Sequence, residues 1–171
     1  MTSHAHEFPV DAASLREARI PELHWPAPFA TAAAVVAEWW ANAESHVTCG
    51  EGLVLQAETI LDLARHQRDL SLLAKRVLAR FHSLPWAAGQ PSVLFVFASE
   101  ITGYRPDQDL VSDARDAAVL FLADVGLSNS TPYDLVSLVL QRYGARKPTF
   151  ISAFVKEDCT WVADLARATT R

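Results

Sequence analysis

The chain has 171 residues, a common length for one domain, and a domain of that size buries roughly 70% of the surface its unfolded chain exposes without help from disulfides or metals. Half of the residues are hydrophobic and 20% are charged, which excludes global disorder. The formal net charge of −5 argues against nucleic-acid binding by phosphate neutralisation, and two distant cysteines, Cys49 and Cys159, do not form a secreted disulfide framework.

Residues 1–12 are polar and aperiodic and read as a flexible tail ahead of one helical domain, 13–171. No basic region leads into an apolar run, and no apolar stretch approaches the ~20 residues that span a bilayer. A cytoplasmic location without membrane attachment is expected. A short helix fits Ala13 to Ile20; Pro21, Pro26 and Pro28 then forbid helix continuity.

The alanine-rich run Phe29 to Val47 predicts a helix with Phe29, Ala33, Val36, Trp40 and Ala43 on its buried stripe, ending where Gly50 can adopt the left-handed cap. A second helix is expected over Glu51 to Gln67 and a third over Leu70 to His82. The short break at Asp69–Ser71 also allows one kinked helix. Residues 93–98 suit either a buried strand or a buried helix. Helix is the choice, because no second segment offers a strand to pair with and a lone strand would leave its backbone groups unmet.

Further helices are expected from Asp107 to Gly126, from Pro132 to Tyr143 with Thr131 as cap and Gly144 as stop, over Phe150 to Asp158, and from Cys159 to Thr169. Six or seven helices joined by short connections predict an all-α, single-domain helical bundle.

Motifs for named chemistry are missing. There is no G-x-S-x-G elbow, no Walker loop and no G-x-G-x-x-G, and the six glycines mostly stand where helices end. Glu22 and Glu44 lie two residues before His24 and His46, so no Glu-x-x-His pair offers a di-iron site. His46 and Cys49 have the spacing of half a zinc site, with Cys159 a distant third ligand; a helix C-terminus with a small thiol explains them equally. Glu58, Asp62 and His66 share one helix face and suit either acid–base work or an ordinary i,i+4 stripe.

An N-terminal Thr2-Ser3-His4 could wrap a square-planar metal. Asp107, Asp109, Asp113 and Asp116 could bind magnesium or simply favour a helix start. No cofactor is expected. The remaining features are compositional: five tryptophans, with Trp39, Trp40 and Trp86 as candidate partner anchors, and a basic helix face of Arg65, Arg68, Lys75, Arg76 and Arg80.

The favoured reading is a non-catalytic accessory, adaptor or inhibitor protein that binds another protein or an acidic peptide through these residues; self-association into a homo-oligomer fits it too. The alternatives are a helical metal-dependent or acid–base enzyme, and a small-molecule pocket lined by Phe95, Phe97 and Phe121.

Overall fold

The computed structural model describes residues 10–81, 92–103, 105–127, 132–155 and 160–169. Its core is a parallel sheet, which corrects the all-α expectation. Helices α1 (Ala12–Glu17), α2 (Ala34–Ala41) and α3 (Ala43–Cys49) lead into strand β1 (Leu53–Ala57) and the long helix α4 (Ile60–Phe81). Strand β2 (Val93–Phe97), helices α5 (Ala98–Ile101) and α6 (Gln108–Asp116), strand β3 (Val119–Val125), helix α7 (Pro132–Gly144), strand β4 (Thr149–Phe154) and helix α8 (Thr160–Thr169) follow.

The four strands lie in the order β1-β4-β3-β2, all parallel, with Leu53 opposite Phe150, Phe121 opposite Phe150, and Phe95 opposite Phe121. Strands β2, β3 and β4 are short apolar runs without alternation, because both faces of the sheet are covered there, while the edge strand β1 leaves Gln56 exposed. Leu55, Phe95, Phe121 and Phe150 face α1–α4; Val96, Leu122, Ile151 and Ala153 face α5–α8.

That burial defeats the sequence periodicity. A strand hidden on both faces cannot be told from a buried helix segment by pattern. Residues 53–57, 93–97, 119–125 and 149–154, which the sequence pattern places in or at the start of helices, are strands, and each pairs with a neighbour in the sheet. The expected helix Phe29 to Val47 is also divided. A 3-10 turn, Phe29–Thr31, precedes α2, and Asn42 (φ −117°, ψ 21°) separates α2 from α3. Gly50 caps α3 with φ 77°, as its position predicted.

Helix α4 runs unbroken for 22 residues through the Asp69–Ser71 interruption. The polar residues there face the segment 22–33, which straps across the helix. Asp69 Oδ1 accepts the Ala33 N–H at 3.3 Å, at the start of α2. Ser71 Oγ lies 2.9 Å from His24 Nδ1.

Candidate functional site at the carboxyl end of the sheet

The strand order fixes where a ligand site belongs. The chain leaves β1 through α4, crosses to the far edge β2, then returns through β3 to β4. Helix α4 therefore covers one face, and α6 and α7 the other. Open parallel sheets bind ligands outside the carboxyl ends of their strands where this direction reverses, here between β1 and β4.

The connection from β1 to α4 is only Glu58 and Thr59. Thr59 caps the helix: its Oγ1 accepts the Asp62 N–H at 3.1 Å and donates to Asp62 Oδ2 at 2.7 Å. Asp62 also pairs with Arg65 at 3.2 Å. A phosphate cradle needs a glycine-rich loop of free backbone N–H groups and a lysine at this position. Here the connection has no glycine, and a carboxylate occupies the positive end of the helix dipole. A nucleotide's phosphates do not fit these residues.

The neighbouring strand ends are also filled. At Gly126 (φ 85°), a Cβ would sit 2.7 Å from the Phe154 carbonyl and 3.0 Å from the Trp161 ring, so α8 packs directly over the end of β3. Asp124 occupies the left-handed region (φ 61°), and its N–H donates to Ser152 Oγ at 3.1 Å. Its Oδ1 is buried and unpartnered, and burial pushes the carboxyl up from the ordinary carboxylate range.

The expected partner anchors mostly serve the fold. Trp39 is 6% exposed and meets Phe150 edge-on at 4.7 Å. Trp40, assigned to the buried stripe, is half-buried between Phe29 and Phe81. The basic face is divided along α4. Arg68 donates to Thr31 Oγ1, Lys75 to the carbonyls of Trp25 and Ala27, and Arg80 to Glu44. Arg76 lies 4.3 Å from the Phe29 ring centroid and 5.0 Å from that of Trp40. Arg65 stays exposed beside Ile60 and Leu61, which are 60% and 63% exposed. Trp86 lies outside the described residues.

The candidate metal ligands are not brought together. His46 Nε2 meets Glu51 at 3.3 Å, while Cys49 is exposed. No group of three metal-ligating side chains occurs among the described residues, and Cys159 and the N-terminal histidines lie outside them. Asp107 caps α6, accepting from Asp109 and Leu110 N–H groups at 3.1 Å each.

Among the described residues, His24 Nδ1 lies 2.9 Å from Ser71 Oγ, and the same hydroxyl lies 2.9 Å from the Gln67 carbonyl, an acceptor that competes with the imidazole for its one proton. Phe121 stacks between Phe95 and Phe150 at centroid distances of 6.3 and 4.5 Å, which fills the space assigned to an aromatic pocket.

One residue that sequence reasoning missed is Arg142, 1% exposed. Its guanidinium donates to Thr149 Oγ1 and to the carbonyls of Ala114, Arg115, Ala117 and Pro148 at 2.7–3.1 Å. Burial lowers it to about 9, opposed by Asp116, which leaves it charged at neutral pH.

These features define a four-stranded parallel α/β domain with a two-residue β1–α4 connection capped by Thr59. A solved structure described as the crystal structure of the DnaI shares the fold, with a TM-score of 0.58, 16% identity, and 89% of each chain covered. At that identity the likeness concerns the fold alone. No known family matches the sequence, and no curated protein does either. Among the described residues, no helix is long and apolar enough to cross a membrane.

Proposed function

We propose that this chain is a non-catalytic, nucleotide-independent accessory domain that acts by binding another protein. The observation that carries this reading is the two-residue connection between β1 and α4. An α/β sheet that kept a nucleotide site would need a cradle there, and Thr59 and Asp62 occupy the helix start instead. The Gln67 carbonyl, 2.9 Å from Ser71 Oγ, also competes with His24 for the hydroxyl proton, which speaks against acyl-transfer chemistry at that pair.

The binding surface is the first two turns of α4. Ile60 and Leu61 are large apolar side chains held in solvent beside Arg65, which pairs only within α4 at Asp62, whereas Arg68 and Lys75 are engaged with the strap and Arg80 with Glu44 of α3. Exposed apolar side chains next to an arginine suit a protein interface. The partner covers the two aliphatic side chains and offers a carboxylate to Arg65.

The test is native mass spectrometry of the untagged chain isolated from its own cells, beside a Leu61→Glu/Arg65→Glu double variant. The proposal expects a stoichiometric second chain with the native sequence, its loss in the variant, and an unchanged thermal midpoint. A bare chain, or a partner retained by the variant, contradicts it.

A further inference from the structure

The outer side of the first turns of α4 carries an ordered pattern. Exposed Glu58 stands just before the helix, and Asp62 lies in its first turn. Ile60, Leu61 and Ala64 form an exposed apolar centre, and Arg65 and Arg68 lie beyond it. Leu63 and Leu70, 3% and 0% exposed, mark the inward side of the same helix. The patch is acidic at its amino end, apolar with one small residue in the middle, and basic at its carboxyl end. Turned end for end it is its own complement, which is what an isologous interface requires.

We infer that the partner covering this patch is a second copy of the chain, with its α4 packed antiparallel to the first. The inference rests on the α4 surface proposed above as the binding surface. About a two-fold axis level with Leu63, Leu61 of each copy packs on the small Ala64 of the other, which lets the helices approach closely. Asp62 then faces Arg65, and Glu58 faces Arg68, across the axis. Parallel pairing would oppose like charges and is disfavoured. Within one copy the Asp62–Arg65 pair is 3.2 Å long with side chains 39% and 66% exposed, and a pair so exposed contributes little, so both groups can turn to the second copy. Two turns of helix from each copy make a small interface, and the net charge of −5 on each chain opposes it at long range. The association is therefore weak and concentration-dependent.

Sedimentation equilibrium of the purified full chain from about 10 μM to about 1 mM tests this. Two charge-reversed variants accompany it, Arg65→Glu/Arg68→Glu and Glu58→Lys/Asp62→Lys. The native chain should pass from monomer to dimer over that range. Each variant alone should dimerise at least about tenfold more weakly. An equimolar mixture of the two should recover a one-to-one mixed dimer, because every pair is restored with its signs exchanged. A native chain monomeric throughout, dimerisation unchanged in both variants, or a mixture of folded variants that stays monomeric overturns the inference. A chain that is monomeric when pure but isolates with a different protein, lost on Leu61→Glu/Arg65→Glu, overturns the second copy and keeps the wider reading; no partner of either kind overturns both. The thermal midpoint checks folding, and the native chain's concentration dependence stands even where Asp62→Lys weakens the helix start.

Discussion

The Arg142 guanidinium donates to the Ala117 carbonyl at 2.7 Å, tying the last turn of α7 to the entry of β3. The same side chain reaches the end of α6 through Ala114 and Arg115, and the start of β4 through Pro148 and Thr149. Its positive charge also meets the negative end of the α6 dipole.

Arg142→Met removes these donors and strands their buried acceptors. The expected loss is about 3–5 kcal/mol, the range for breaking a buried charged network. Arg142→Lys keeps the charge with fewer donors and should lose less. Urea denaturation with an unchanged slope measures both. A loss below about 1 kcal/mol for Arg142→Met would show that water replaces the network.

The adjacent tryptophans should separate cleanly. Trp39 is core and meets Phe150, so Trp39→Ala should cost about 3–5 kcal/mol. Trp40 is half-buried against Phe29, Phe81 and Arg76, and Trp40→Ala should cost less than half as much. Equal losses in chemical denaturation would contradict this assignment of the core side.

Gly52 tests the sheet register. A Cβ there would stand 1.8 Å from the Thr149 carbonyl, which is main chain and cannot swing aside. Gly52→Ala should cost at least the upper end of the roughly 1–3 kcal/mol typical of overpacking. A neutral effect on the melting midpoint would mean that β1 and β4 are not registered as described.

Asp124 should make stability depend on pH. Its folded carboxyl titrates above its unfolded range, so the folded state holds the proton more tightly. Stability therefore falls as pH rises from the ordinary carboxylate range through the raised folded value, and the penalty is fully present above it. Asp124→Asn removes the penalty and keeps a residue that tolerates the left-handed backbone at φ 61°. The variant should melt higher than the native chain near neutrality and lose that advantage near pH 4. A lower midpoint at neutral pH would show that the charge stabilises the fold.

Helix ends were legible in the sequence where local chemistry dictates them. Gly50 takes the left-handed cap, Asp107 caps α6 and Pro132 opens α7, whereas Gly144, expected as the stop, is the last residue inside α7 and Arg146 (φ 56°) takes the left-handed position beyond it. The strands were not. VLFVF, VLFLADV and TFISAF are covered on both faces, so the alternation that marks a half-buried strand never appears in them, and the edge strand LVLQA exposes Gln56 at the end of an apolar run too short to show a period.

The site was legible mainly as an absence of phosphate motifs. That became informative only once the strand order showed where such a motif would stand. The basic residues of α4 were visible as a cluster, but their engagement by the strap and by α3 depends on contacts 36 to 50 residues away in sequence. Arg142 did leave a signal. It continues the spacing of Leu135, Leu138 and Val139, all buried, and so falls on the inward face of α7.

The measurement that bears most directly on the account is calorimetric titration of the full chain with magnesium-ATP and with ADP. A β1–α4 connection closed by Thr59 and Asp62 predicts no binding up to about 1 mM of either nucleotide. Saturable binding tighter than about 100 μM, worth more than about 5 kcal/mol, would mean that the carboxyl end of the sheet is a working nucleotide site and would contradict a nucleotide-independent role.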